Sequence, residues 1–239
     1  MKLVLSIILI LAPSLACGQA GVVGAAKVVG ASVVGGGTGS SGPTVANYCA
    51  NTHFGTNPSA SCTLTTTSGH TLVLWYYADT VVTVSAPTGC TAGSWTVVGT
   101  SASKQAFYTT TSNSTSCSIT GSGTSGSSGE LDFVAVDTTS TAGIDANPVF
   151  EANPSPSFCT SCTGPSITTV NANALAINCT QGDNSITVSS PFVAFLNMSV
   201  GGTTLTCSSA NNASPGAITA TWTASGAKNP PSGIISVHP

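Results

Sequence analysis

Arginine is missing from this chain, and charge of either sign is scarce. Four lysines and seven acidic residues make up 5% of 239 residues, against roughly 25% in ordinary soluble domains. That shortage argues against nucleic acid as a partner, because neutralising phosphates takes clustered Lys and Arg. The net charge is −3. Histidine is nearly as rare: His53, His70 and His238 are all there is. There is no His-Glu-x-x-His and no Gly-x-Ser-x-Gly, so neither a zinc hydrolase nor a nucleophile elbow is signalled. Serine is so common that a Ser-His-acid trio could always be assembled on paper. Long apolar runs are lacking too. None past the first residues reaches the roughly 18 that a membrane-spanning helix needs. Ser, Thr, Gly, Ala and Val fill the chain instead, and the β-branched residues among them favour strands.

Residues 1–20 read as a signal peptide. Lys2 is a minimal basic region, Leu3 to Leu11 is apolar, Pro13 breaks the run, and Gly18-Gln19-Ala20 suits cleavage. Removal of this leader leaves seven acids against three lysines. Export permits disulfides, and there are nine cysteines. The odd one is Cys17, in Ser14-Leu15-Ala16-Cys17-Gly18. This resembles the lipobox of bacterial lipoproteins, with Ser14 where Leu is usual. The resemblance implies a lipid anchor at Cys17, on the outer membrane or cell surface; the other reading discards Cys17 with the leader. Eight cysteines then remain, with 105 connectivities open. Neighbours in sequence suggest Cys49–Cys62, Cys90–Cys117, Cys159–Cys162 and Cys179–Cys207.

Residues 21–44 are Gly-rich, with Val-Val-Gly three times, and read as a low-complexity linker. From Val45 onward short β segments alternate with turn residues such as Ala86-Pro87-Thr88-Gly89 and Gly201-Gly202. The expected fold is all-β: an antiparallel two-sheet sandwich, jelly-roll or immunoglobulin-like. The segments TVVTVS, SKQAFYTTTSNSTSCSITGSG and SGELDFVAVD match NSITVS, TTLTCSSANNASPGAITATWTASG and PSGIISVHP in order and spacing. An internal duplication would produce this. A single β-sandwich domain over 45–239 is favoured, with two immunoglobulin-like halves, 45–155 and 165–239, as the alternative. The run TLVLWYYA, VTVS, SWTVV, QAFY, SCSIT and ELDFVAVD resembles secreted bacterial β-sandwich proteins of uncharacterised function. That pattern implies a fold class and a surface location, and transfers no catalytic residue.

Five of the seven acids fall between Glu130 and Glu151. Glu130 and Asp132 share one face of an expected strand, with carboxylates about 7 Å apart, read as facing solvent. With Asp137 and Asp145 they form a candidate calcium site, since calcium takes hard oxygen ligands. The blander reading is that these charges protect an exposed edge strand. Trp75, Tyr76 and Tyr77 are candidates for stacking on a sugar ring, with core filling the commoner fate of such residues. Cys159-Thr-Ser-Cys162 is read as a local disulfide, because no helix follows it as a redox motif would require. Asn113, Asn178, Asn197 and Asn212 begin glycosylation sequons. His53 and His70 are expected in loops, and His238 as frayed. The functional expectation is a secreted or surface-displayed structural or adhesive module without catalysis, with a glycan or another surface protein as partner. A carbohydrate-binding module supported by calcium is the alternative, and a glycoside hydrolase working through paired carboxylates is a more distant one.

Overall fold

A computed structural model describes residues 26–33, 42–79, 81–90, 94–100, 105–123, 126, 128–150, 161–182, 185–200, 202–224 and 231–239. The leader, Cys17 and Cys159 lie outside them. Every regular element described is a strand, and every pairing is antiparallel. The segment expected as linker contributes β1 (Ala26–Val33), which pairs with β2 (Val45–Thr56) from Ala26↔Thr52 to Val33↔Val45. Beyond β2 lie β9 (Ser128–Thr138), β4 (Thr71–Ala78), β7 (Gln105–Thr111) and β6 (Thr96–Thr100), in that order, completing a six-stranded sheet. A smaller sheet runs β3 (Ser59–Thr65), β8 (Ser116–Gly123), β5 (Val82–Val84).

The second half of the chain repeats this order. Its large sheet is β10 (Ile144–Phe150), β17 (Ser232–Val237), β12 (Ala174–Gly182), β15 (Thr203–Asn212) and β14 (Val193–Val200). Its small sheet is β11 (Cys162–Thr169), β16 (Gly216–Ala224) and β13 (Ile186–Val188). Counted from β2 and from β10, the large-sheet order is 1-8-3-6-5 in both halves and the small-sheet order is 2-7-4. The segments aligned above on sequence occupy matching places: TVVTVS and NSITVS supply β5 and β13, and ELDFVAVD and SGIISVHP supply β9 and β17. The repeat turns over between Thr138 and Ile144. The Pro- and Ser-rich piece Asn153 to Pro165 falls between β10 and β11 and runs into β11.

Alternation along each strand divides the apolar residues among three cores. Leu131, Phe133 and Ala135 of β9 face inward to the first small sheet, with Leu64, Leu72, Leu74 and Ile119. Ile186, Ile218, Trp222 and Ile234 fill the equivalent space in the second half. The third core lies between the two large sheets. Val73 and Trp75 of β4 and Val134 and Val136 of β9 meet Leu175, Ile177, Phe195, Met198, Leu205 and Ile235 from the other half. Rings bridge this seam at Tyr48–Phe195, with centroids 5.3 Å apart, and at Phe107–Phe150, 5.6 Å apart. The large-sheet strands therefore bury both faces. This explains the uninterrupted burial of Ala174–Gly182 and Ser232–Val237, a pattern that fully covered strands show.

Three disulfides lie wholly among the described residues: Cys49–Cys62, Cys90–Cys117 and Cys179–Cys207. The first ties β2 of the large sheet to β3 of the small one. The third joins directly opposed residues of β12 and β15, Cα atoms 4.2 Å apart. Cys162 is also disulfide-bonded. These bridges point to an oxidising, extracellular setting. No helix among the described residues is long and apolar enough to cross a membrane.

Two consequences can be measured. The Cys179–Cys207 bridge spans 28 residues, so its replacement by two alanines should cost about 3 kcal/mol through loop entropy in the unfolded chain. At Gly164, a Cβ would sit 2.4 Å from Cζ3 of the fully buried Trp222. Gly164→Ala must displace that ring and should lower stability by about 1–3 kcal/mol. A urea titration reads both as a lower midpoint, with an unchanged slope for Gly164→Ala and a steeper one for the disulfide variant, whose unfolded chain is freed to expand.

Candidate functional site: a carboxyl cluster between the two halves

Glu130 and Asp132 share a face of β9, but it is not the solvent face, and β9 is not an edge strand. β9 lies between β2 and β4, and its even-numbered residues point at the other half along with Val134 and Val136. Asp132 is wholly buried and Glu130 is 9% exposed. The alternation was legible in the sequence. That a second sheet covered this face was not.

The neighbours come from both halves. Asp132 is paired across the sheet with Thr52 of β2 and Tyr77 of β4. Gln181 of β12 donates from Nε2 to Glu130 Oε2 at 2.9 Å. Asp79, just past β4, accepts from the Glu130 backbone N–H at 3.2 Å and from the Tyr77 hydroxyl at 3.3 Å. Thr52 also bonds toward the Asp132 carboxyl, and Thr203, at the start of β15, toward Glu130. Two ionised carboxylates side by side in such a place would be very costly. Burial, then the Glu130 charge, pushes the Asp132 carboxyl well above its usual range, and burial raises Glu130. The two carboxyls also bond each other, with the proton held on Asp132 and donated to Glu130, as in other buried carboxyl pairs. Burial and the charges of Asp79, Glu130 and Asp132 also raise the Tyr77 phenol.

The other two acids of the candidate calcium set lie elsewhere. Asp137 sits at the far end of β9, some 17 Å from Asp132 by strand rise, and on the opposite face. It is hydrogen-bonded to His70 Nδ1 at 2.9 Å. Asp145, on β10, accepts the backbone N–H groups of Val170 and Asn171 at 2.9 and 3.0 Å, and the Ser236 hydroxyl at 3.2 Å. The four carboxylates do not converge, and no group of three metal-binding side chains occurs among the described residues. The expected four-ligand calcium site is therefore corrected: Asp137 and Asp145 are each held apart by their own partners, and only Glu130 and Asp132 are neighbours.

The remaining candidates also find places. Trp75 is 1% exposed and belongs to the seam, not to a sugar platform. Tyr77 is half-buried beside it, and Tyr76 faces the other way, stacked on Tyr108 with centroids 5.7 Å apart. His53 lies within β2 and not in a loop; its Nδ1 is buried without a partner. His70 precedes β4 in a turn. His238 is held, not frayed: its N–H bonds Gly143 O at 2.9 Å and its ring meets Asn171 at 3.1 Å. Asn178 is fully buried, bonded to Thr180 and Ser232, and so is closed to glycosylation once folded, whereas Asn113 and Asn197 are exposed. One feature had no sequence signal. A groove of about 440 Å³ opens between β13 and β14, lined by Val188, Phe192, Val193 and Asn197 among others. No protein-family model, curated protein or solved structure matches the chain.

Protonation gives this protein an unusual pH response. Burial raises Asp137 to about 6, and the neighbouring His70 keeps it from going higher. A carboxyl that binds its proton more tightly when folded favours the fold fully below the unfolded value near 4, and that contribution is lost as pH rises through about 6. Glu130 and Asp132 act in the same sense. Asp145 acts oppositely: burial tends to raise it, but the donors from Asn171, Val170 and Ser236 outweigh that and lower it. Its contribution is lost only as pH falls below about 4. Thermal midpoints should therefore peak near pH 4–5 and decline toward pH 8. In an NMR titration, His70→Gln should move the Asp137 midpoint upward from about 6; a downward shift would contradict this account.

Proposed function

We propose that the chain is a secreted or surface-displayed structural module, built of two jelly rolls, that works by binding or spacing and not by catalysis. The observation that carries this reading is the use made of its acids. In an enzyme with so few ionisable groups, some would be expected to meet in an open cleft. Here Asp145 caps a loop, Asp137 holds His70, and Glu130 and Asp132 are sealed between the halves. The strand order favours jelly rolls over immunoglobulin folds. In each half the first strand pairs with the eighth, the second with the seventh and the third with the sixth, which is a long hairpin wound around a barrel. Export, and the anchor that Cys17 would provide, fit a module displayed outside the cell.

A carbohydrate-binding role is a second reading, favoured by the partly exposed Tyr76–Tyr108 stack, since paired phenols offer a face to sugar rings. The two readings separate on a glycan array run with and without a chelator. The structural reading expects no binding under either condition. Saturable binding lost in Tyr76→Ala and Tyr108→Ala would establish the second instead, and its loss on chelation would restore calcium to the account.

A further inference from the structure

The groove between β13 and β14 opens at a place where the two halves differ. In the first half β5 and β6 are joined by residues 85–95. Along that stretch Thr88 bridges Ser118 of the small sheet, Cys90 is tied to Cys117, and Trp95 is 9% exposed in the first core. The described part of this connection therefore lies over the mouth of the first sandwich. In the second half residues 189–192 make the same connection. They are too few to cover the mouth, and the groove of about 440 Å³ is left. That size lies within the usual range of small-molecule sites, roughly 300–1,000 Å³.

The groove has a polar side that leads inward. Directly opposed residues of neighbouring strands share a sheet face. Asn197, exposed in the groove, is opposed to Thr206 of β15, Thr206 to Thr180 of β12, and Thr180 to Ser232 of β17. Beside this row, Ala194 of the groove is opposed to Ser208, and Ser208 to Asn178. Asn178, Thr180 and Ser232 bond one another. Thr206 and Ser208, 1% and 0% exposed, carry hydroxyls that are buried without a partner. Leaving such a group unpaired is costly, and both stand one strand behind the groove. The corresponding strand of the first half, β9, turns Leu131 and Phe133 into its core instead. Val188 and Val193 give the groove an apolar strip beside these polar groups.

We propose that this groove binds a short neutral saccharide, whose hydroxyls bond Asn197 and the buried hydroxyls of Thr206 and Ser208 while its C–H groups pack on Val188 and Val193. The Asn197 side chain, directly opposed to Thr206, turns aside to admit a sugar hydroxyl to it. A sugar ring carries hydroxyls on its rim and C–H groups on its faces, and a few placed polar groups beside an apolar strip are what fix such a ligand. The inference rests on the second, carbohydrate-binding reading, and gives it a site that uses neither the Tyr76–Tyr108 stack nor calcium.

The probes are glucose, galactose, mannose, N-acetylglucosamine, cellobiose, lactose and chitobiose, each titrated into the isotope-labelled chain with and without EDTA and followed by NMR. The side-chain amide signals of Asn197 should shift saturably with at least one of them, in both conditions. Thr206→Val should weaken that binding about three- to tenfold. Its thermal midpoint should equal or exceed the native one, because the hydroxyl removed has no partner in the free protein. If that variant fails to fold, Ala194→Leu, at an exposed position in the groove, should block binding in its place. Tyr76→Ala and Tyr108→Ala should bind as the native chain does. No shift with any probe would overturn the proposal together with the carbohydrate reading. Binding lost in the tyrosine variants but kept in Thr206→Val and Ala194→Leu, or binding that EDTA abolishes, would overturn the groove and leave that reading standing.

Discussion

The structure depends on the burial of two large sheets against each other. Each half is already a sandwich with its own core, but the outer face of each large sheet is apolar and cannot be left to water. At about 25 cal/mol per Å² of apolar surface, covering Trp75, Val134, Val136, Leu175, Ile177, Phe195, Met198 and Ile235 outweighs anything the few charges could contribute. The result is four layers of strands, with the inner two covered on both sides. Edge strands are dulled in the way such sheets usually require: β10 carries Pro148 and two register shifts, and β6 and β14 each carry one. Gly99 of β6 lets Pro148 and Phe150 approach closely.

The shortage of charge shapes how the acids are used. Most proteins offset a buried carboxylate with Arg or Lys. This chain has no arginine, so its acids rely on backbone amides at Asp145, a histidine at Asp137 and a shared proton at Glu130 and Asp132. Two of these three arrangements favour the protonated carboxyl, and so they couple the fold to pH. The same shortage leaves hydroxyls and amides to fill polar places in the interior. Asn178, Thr180 and Ser232 bond one another inside the second sandwich, where the first half has Leu72, Leu74 and Phe133. The two halves share a topology but not a core.

Much of the fold was legible in the sequence, for reasons that can be named. Period-two alternation in β5, β8 and β16, and turn residues between them, signal strands whose one face is wet. The Cys49–Cys62, Cys90–Cys117 and Cys179–Cys207 bridges follow simple nearness in the chain. The match of NSITVS to TVVTVS marks corresponding strands. Harder to see were β1, whose Val-Val-Gly composition reads as linker, and β10, where Pro148 and the register shifts mask the period. The candidate site was half legible. That Glu130 and Asp132 share a face follows from strand geometry alone, but their surroundings do not.

What the amino-acid sequence determined by itself was local: strand after strand, the turns between them, an oxidising destination and an unusual poverty of charge. Only the tertiary structure decided which face of β9 is buried. A strand has two faces, and alternation tells them apart without saying what will cover either one. Val134 and Val136 could have lain on an exposed sheet, and Glu130 and Asp132 could have faced water. It is the second half of the chain, folded back over the first, that turned two surface carboxylates into a pair that must hold a proton.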